Sequence, residues 1–369
     1  MDILTASRCE DKGFSMKDKY DISVAAGDGI GPEVVESAVS VFSAAMDRLG
    51  SSDLVSFSKV PVGWESFQLW GKPLTDEVLG KIERSDGLIL GPLAVGSYPG
   101  SKGQKSPSGA IRTHFDLYAN IRPVRTYLRG RLDPIDTLIV RENTQGFYAD
   151  RNMFLGSGEF MPTRDVALSV RVITREKMAK ISDVAFRYAA ARRKKVTAVH
   201  KGNVLSVTDG LFLEEFRKKA AGYHGILSED RLVDSVAYDL ILHPDKFDVI
   251  ATTNMYGDIL SDEAAAVAGS LGIAPSLNFG DNWAMAQASH GTAPDIAGKG
   301  FANPLSEILS VSMLFEWLAN RHQDKILMDA HRAVENSVHS MLESAGSLTP
   351  DMGGKAGTVD VTASILKNL

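Results

Sequence analysis

A single cysteine, Cys9, serves 369 residues, so the chain closes no intrachain disulfide and builds no cysteine-ligated zinc site. Any metal it holds takes oxygen or imidazole ligands. No stretch approaches the roughly 18 consecutive apolar residues that cross a bilayer, which excludes a helical membrane protein. Residues 1–18, with Lys12 and Lys17 among polar neighbours, lack the apolar run of a secretory signal and read as a loose tail, so a cytoplasmic protein is expected. Charge of one sign is scarce too: 40 Lys and Arg face 46 Asp and Glu. The net of −6 argues against a general nucleic-acid binder and leaves room for a small cationic pocket. Internal repeats of about 20–50 residues and low-complexity tracts are also missing.

What is present is an ordinary globular composition on a chain too long for one ordinary core. Two substantial domains, or one with a large insertion, are expected, with room for a cleft between them. Short β-branched runs alternate with amphipathic helical stretches, the pattern of βαβ units and a mostly parallel sheet. The runs at 21–26, 87–90, 136–140, 195–199 and 247–252 read as strands, and 32–49 reads as the helix after the first. Functional groups are expected at the carboxyl ends of those strands. Between residues 153 and 172 the pattern changes to alternation (Val166, Leu168, Val170, Val172), which reads as a β-arm of the kind that seals a dimer. The basic run 192–195 ends an Ala-rich helical stretch and reads as a solvated helix terminus.

Five stretches could carry chemistry. Gly27-Asp28-Gly29-Ile30-Gly31-Pro32 follows a strand and opens a helix. Its third glycine comes too early for a Rossmann fingerprint, and Pro32 takes the first helical position, where a missing N–H costs little. Next, Arg112, Arg122 and Arg141 sit near strand ends; three guanidinium groups converging on one cleft suit a di- or tricarboxylate, while singly each reads as a surface ion pair. Tyr148, seven residues past Arg141, is either a general acid or a packed tyrosine. Lys201 closes the strand at 195–199 and its His, where a desolvated lysine serves as a base and an exposed one only snorkels.

The fourth stretch, Asn254 to Glu263, sets Asp258 and Asp262 at i and i+4 on one helix face, where like charges repel unless a cation sits between them. Hard oxygen ligands without Cys select Mg2+ or Mn2+, with Asp234 as a candidate third carboxylate. Compensation of the helix dipole is the alternative reading. Last, a loop of small residues from His290 to Asn303 lets main chain wrap a planar ligand. Its Asp295 suits the ribose hydroxyls of NAD and repels the extra phosphate of NADP.

Together the segments GDGIGPEV at 27–34, DLYANIRP at 116–123, VRENTQGFY at 140–148, HKGNVL at 200–205, NMYGDILSD at 254–262 and HGTAPDIAGKGFANP at 290–304 resemble the β-decarboxylating dehydrogenase family. That family includes isocitrate, 3-isopropylmalate, tartrate/D-malate and homoisocitrate dehydrogenases, and the resemblance runs from Tyr20 to the C-terminus. It implies an α/β, isopropylmalate-dehydrogenase-like doubly wound sheet that is not a Rossmann domain. A large cofactor-side domain would comprise 19–117 and 269–369. A small domain, 118–268, would carry substrate, metal and the dimer-clasping arm of a homodimer with shared active sites.

By motif position, the resemblance implies that Arg112, Arg122 and Arg141 bind substrate carboxylates, and that Ser106 meets a third one. Asp258 and Asp262 would hold Mg2+ or Mn2+ together with the partner's Asp234. The partner's Lys201 would take the proton from the C2 hydroxyl, and Tyr148 would protonate the enolate left after CO2 departs. His290 and Asn303 would contact adenine, the chain at Gly291, Thr292 and Ala293 would wrap the cofactor, and Asp295 with Ile296 would set the preference for NAD.

The chain departs from the family pattern in places. Gln287 and Ala288 stand where many relatives have Glu and Pro, and 91–96 (GPLAVG) differs beside the nicotinamide. The segment 105–111 lacks the leucines that isopropylmalate enzymes place before the first arginine, which favours a polar C3 substituent; Ser106 matches the isocitrate enzymes, whereas Ser108 replaces their asparagine. The expected activity is NAD- and metal-dependent oxidative decarboxylation of a 3-substituted malate, of isocitrate or 3-isopropylmalate type, to a 2-oxo acid, CO2 and NADH. Tartrate or D-malate dehydrogenase is the alternative. A non-catalytic regulatory subunit of a hetero-oligomeric isocitrate dehydrogenase is the alternative of another class; it predicts lost catalytic residues, whereas Tyr148, Lys201, Asp234, Asp258 and Asp262 are all present. No nucleic-acid or membrane partner is expected.

Overall fold

The computed structural model describes residues 17–100, 106–127, 134–148, 153, 158–344 and 346–369. Cys9 and residues 1–16 of the tail lie outside the described residues, as do Lys105 and positions 154–157 of the arm. The strands, in chain order, are β1 Tyr20–Ala25, β2 Val55–Lys59, β3 Gly87–Leu90, β4 Ala119–Arg125, β5 Asp136–Glu142, β6 Glu159–Thr163, β7 Val166–Ser169, β8 Lys195–His200, β9 Leu227–Leu232, β10 Val249–Thr252, β11 Leu277–Phe279 and β12 Ala284–Ala286. Ten of them form one mixed sheet in the order β2-β1-β3-β12-β11-β4-β5-β10-β8-β9. Pairing is antiparallel only in the middle, at β12–β11, β11–β4 and β4–β5, and parallel on both flanks.

Sequence and sheet agree for a physical reason. A strand covered by helices on both faces reads as a continuous apolar run, and β3 (GLIL) and β10 (VIAT) are buried at every position. The strand expected at 247–252 starts later, at Val249, because Pro244–Lys246 closes a 3-10 turn. The one expected at 136–140 runs on to Glu142, so Arg141 projects from within the sheet. After β1, the helix Gly31–Arg48 carries a proline in its first turn and buries Val34, Ala38, Val41 and Phe42 along one face. It packs with the helices Leu305–His322, Lys325–Ser344 and Thr358–Asn368, and the Phe42 and Phe315 rings lie 4.3 Å apart. Each buried Val or Phe among them contributes about 1.5–3 kcal/mol.

The glycine-rich turn after β1 is set by close approach. Gly29 has φ +61°, and a Cβ there would lie 2.1 Å from the Thr292 carbonyl oxygen; the Ile30 N–H donates to that same oxygen at 3.0 Å. The first loop and the 290–303 loop are therefore joined backbone to backbone. Asp28 ties in two further segments. Its buried carboxylate accepts from the Trp64 N–H at 2.7 Å, the Ala94 N–H at 2.8 Å and the Tyr98 hydroxyl.

The alternating stretch forms an antiparallel hairpin, β6–β7, exposed at every residue, including Phe160, Met161, Val166 and Leu168. In the basic run at 192–195, Arg193 and Lys194 are exposed just past the helix end as expected, but Arg192 departs from that reading. The helix ends at Ala190, and Arg192 folds inward to pair with Asp136 at 2.7 Å and Asp248 at 2.8 Å, its side chain only 9% exposed. A guanidinium with two carboxylates in reach gains more there than it would from solvent at a helix end. No helix among the described residues is long and apolar enough to cross a membrane.

Candidate active site

Two adjacent antiparallel strands deliver the central arginines: Arg122 on β4 and Arg141 on β5, with Asn120 registered opposite Arg141. Thr252, the last residue of β10, registers beside Arg141 on the other side, so the helix Asn254–Ala268 starts next to that guanidinium. Arg141 then reads the helix turn by turn. Its Nε and Nη2 donate to Asn254 Oδ1 at 3.0 and 2.6 Å, and its Nη1 donates to Asp258 Oδ1 at 2.6 Å. The side chain runs so close to the helix that a Cβ on Gly257 would lie 2.6 Å from Arg141 Cγ.

Arg122 spans the next turn. Its Nη2 reaches Asp258 Oδ1 at 3.2 Å, and its Nη1 donates to Ser261 Oγ at 2.6 Å and Asp262 Oδ1 at 3.4 Å. From the residues after β5, the Tyr148 hydroxyl donates to Asp258 Oδ2 at 3.0 Å, and the Arg141 guanidinium lies 5.9 Å from the centre of its ring. Arg112 enters from the end of the helix Pro107–His114. It donates to Asn143 Oδ1 at 3.2 Å and Gln287 Oε1 at 2.8 Å.

The charges push one another apart. Burial lowers the Arg122 pKa to about 10, helped by the neighbouring Arg141 and opposed by Asp258 and Asp262. Burial alone would raise Asp258, yet Arg141 and Arg122 hold it below the usual carboxylate range. Asp262 goes the other way: burial and the Asp258 charge raise it against the pull of Arg122. Two carboxylates one helical turn apart therefore differ in basicity, the less basic one carrying the hydrogen bond from Tyr148.

Lys201 and Asp234 form a second group. Lys201 follows β8, two strands from β5 with β10 between, or about 10 Å along the sheet at ~4.8 Å per strand. Its Nζ pairs with Asp234 Oδ1 of the same chain at 2.9 Å, and both side chains are partly exposed. Hydrogen bonding from Lys201 lowers the Asp234 pKa. Below them, the fully buried Asp209 accepts from the Lys201 N–H at 2.6 Å and pairs with Arg171 at 2.6 Å. Arg171 also donates to the Thr253 hydroxyl at 3.1 Å, at the start of the Asp258 helix.

The small-residue loop contributes a third group. His290 Nδ1 lies 3.0 Å from the Gly291 carbonyl, while its buried Nε2 has no hydrogen-bond partner among the described residues; burial lowers its pKa. Ala293 adopts φ +38°, Gly291 and Asp295 face solvent, and Ile296 packs partly against the core. Asn303 turns inward: its Nδ2 donates to Asp351 at 3.0 Å and its Oδ1 accepts from the Leu305 N–H at 3.1 Å. Ser106 caps the Pro107–His114 helix, its Oγ accepting from the Gly109 N–H at 3.0 Å. At the base of the loop, the Ala288 N–H donates to Glu307 Oε2 at 2.9 Å, and Glu307 is fully buried, its other oxygen without a hydrogen-bond partner among the described residues.

The structure thus brings Arg122, Arg141, Tyr148, Asp258 and Asp262 into one cluster, with Arg112 attached through Asn143. It sets Lys201 with Asp234 apart from them, and His290 to Ile296 on the loop joined to the β1 turn. The residues that orient the arginines, Asn254, Ser261, Asn120 and Asn143, were not picked out from sequence, nor was the Arg171–Asp209 pair beside Lys201. A signal existed for two of them, since Asn254 opens the acidic helix and Asn120 lies two residues from Arg122 on the same strand face.

In donor chemistry, Asp258 and Asp262 offer the hard carboxylate oxygens that suit a divalent cation, and in this structure the Arg122 guanidinium bridges the two. Among the described residues no three His, Cys, Asp or Glu side chains converge to hold one. The unpartnered imidazole nitrogen of His290 in a wrapping loop fits a planar, hydrogen-bonding cofactor edge.

Residues 21–367 match the family described as isocitrate/isopropylmalate dehydrogenase. The chain is 39% identical over 358 residues to a homoisocitrate dehydrogenase of Methanocaldococcus jannaschii, covering 94% of this chain and 96% of that one. It is 38% identical to a 3-isopropylmalate dehydrogenase of Sulfurisphaera tokodaii, covering 95% and 99%. The crystal structure of an isocitrate dehydrogenase from Methylococcus capsulatus superposes with a TM-score of 0.83 at 36% identity, covering 95% of this chain and 99% of that one.

Proposed function

This chain belongs to the isocitrate/isopropylmalate dehydrogenase family, and from that premise we propose that it oxidises and decarboxylates a 3-substituted malate with NAD and a divalent Mg2+ or Mn2+. It is an oxidoreductase, a decarboxylating dehydrogenase of the isocitrate, isopropylmalate or homoisocitrate type. The observation that carries the finer reading is the convergence of Arg122, Arg141 and Tyr148 on Asp258.

Arginines that already hold a carboxylate in this geometry can hold a substrate carboxylate in its place. Arg122 and Arg141 would take one carboxylate of the acid and Arg112 another, fixing C2 and C3 between the Tyr148 hydroxyl and a lysine. Lys201 would remove the C2 hydroxyl proton as the hydride leaves, and Tyr148 would deliver a proton to C3 after CO2 departs. When bound, NAD accepts the hydride, and the divalent cation held by Asp258, Asp262 and Asp234 supplies Lewis acidity. The loop His290 to Asn303 would hold the adenine end, with the acidic Asp295 favouring NAD over NADP.

Lys201 and Asp234 stand apart from the arginine cluster, which supports a homodimer whose partner supplies them. The exposed Phe160, Met161, Val166 and Leu168 of the hairpin, and Tyr238 and Ile241 on the helix Val233–Leu242, are the apolar surface such a partner would cover. The single cysteine is compatible with a reducing compartment such as the cytoplasm. The polar segment before Arg112 supports isocitrate ahead of 3-isopropylmalate, tartrate or D-malate.

The test follows NADH formation by the purified chain alone, with Mg2+ or Mn2+, against isocitrate, 3-isopropylmalate, homoisocitrate, D-malate and tartrate. Turnover of at least one is expected. No turnover of any would overturn the catalytic reading in favour of a regulatory subunit, and turnover with NADP alone would overturn the cofactor.

A further inference from the structure

Beneath the arginine cluster lies a buried row of asparagine amides that no step above uses. Arg112 Nη1 donates to Asn143 Oδ1 at 3.2 Å, and Asn143 Nδ2 donates to Asn278 Oδ1 at 2.9 Å. From the other side, Arg122 Nε donates to Asn120 Oδ1 at 2.8 Å, and Asn120 Nδ2 donates to that same Asn278 oxygen at 3.0 Å. All three asparagines are completely buried. Asn278 is locked from behind by its own Nδ2, which donates to the Met285 carbonyl at 3.2 Å.

One carbonyl oxygen is thus the common acceptor of two amides, each of which accepts from a different arginine. Its place in the sheet matters. Asn278 lies on β11, where the flank built from both chain ends meets β4 and β5, and it registers opposite Asn120. Arg112 comes from one side of that seam and Arg122 from the other. The chemistry matters as well: amide oxygens orient a guanidinium without neutralising it, whereas a carboxylate here would compete with the substrate for the positive charge.

We propose that Asn278 is a positioning residue that sets the spacing of Arg112 and Arg122, and so gauges the polycarboxylate the site accepts, through the shared Asn143–Asn278–Asn120 hydrogen bonds. The inference rests on the reading that these arginines bind substrate. In Asn278→Leu, of similar size, Asn120 keeps the Ser276 hydroxyl at 2.7 Å and Asn143 the Leu117 carbonyl at 3.3 Å, but the two amides lose their common acceptor, and the spacing of Arg112 and Arg122 is no longer tied through one atom.

The experiment is a double-mutant cycle on the full chain with Asn278→Leu and Arg112→Gln. It measures KM for isocitrate and 3-isopropylmalate, KM for NAD, and calorimetric binding of each acid in the presence of Mg2+. We expect Asn278→Leu to raise KM and weaken binding for the better acid about ten-fold, with KM for NAD within about two-fold. The double variant should lose little more than Arg112→Gln alone. Should Asn278→Leu fail to fold, Asn278→Ser takes its place in the cycle. Strictly additive losses, or an unchanged KM in the apolar variant, would overturn the proposal. If Arg112→Gln alone leaves both binding and KM unchanged, the substrate reading fails first and takes this inference with it.

Discussion

Replacing Glu307 by Gln is predicted to stabilise the protein, increasingly so as pH rises. Glu307 sits in the first turn of the helix Leu305–His322, completely buried, with one carboxyl oxygen accepting from the Ala288 N–H at 2.9 Å and the other without a partner among the described residues. Burial pushes its pKa up from 4.5 to about 8. Between those values the folded protein keeps a proton that the unfolded chain releases, so the folded state binds the extra proton and loses stability as pH rises. At 1.36 kcal/mol per pH unit, the loss is about 3 kcal/mol at pH 7 and approaches about 5 kcal/mol at pH 8. Glu307→Gln keeps an oxygen for the Ala288 N–H and has nothing to titrate. Urea unfolding of both proteins between about pH 5 and about pH 8 reads the difference directly. The gap in favour of Gln should be small at the acid end and widen steadily toward pH 8. A gap that stays flat, or that grows toward acid, would refute the reasoning.

Two further outcomes follow from geometry already given. In Asp258→Asn, Arg141 and Arg122 each lose a charged acceptor and Tyr148 loses its carboxylate partner, so kcat/KM should fall by about two orders of magnitude or more while the melting temperature stays near that of the parent; undiminished turnover would remove Asp258 from the site. In Gly29→Ala, the new methyl meets the Thr292 carbonyl at 2.1 Å in a left-handed backbone, so a loss of about 1–3 kcal/mol in unfolding free energy is expected, together with a raised KM for NAD but not for the acid. A raised KM for the acid alone would separate the loop from the cofactor.

Much of the parallel flanks was legible in the sequence, because fully covered strands are short apolar runs and their turns carry Gly, Asn or Pro. The run 87–90 matches β3 residue for residue, and the helix after β1 differs by one residue at each end. The centre of the sheet was not legible. β11 and β12 are three residues each, too short for any periodicity to register, and β2 is a half-exposed edge rich in serine. In the site, the charged members could be picked out because an unpaired Arg or Asp at a strand end needs an explanation. Asn120, Asn143 and Asn278 gave no such signal, since asparagine ordinarily marks turns; their role depends on strand pairings that no local pattern encodes. Arg192 was misjudged for the same reason: both its carboxylate partners, Asp136 and Asp248, are distant in sequence.

The strand order also governs how the molecule can be assembled during synthesis. β12 and β11, at residues 277–286, are inserted between β3 and β4, which were made some way earlier. Until the chain has been made as far as Ala286, β3 and β4 therefore lack the neighbours that pair their inner edges in the finished sheet. The segment that supplies those neighbours also brings in Asn278, so the arginines acquire their common support in the same event that seals the sheet.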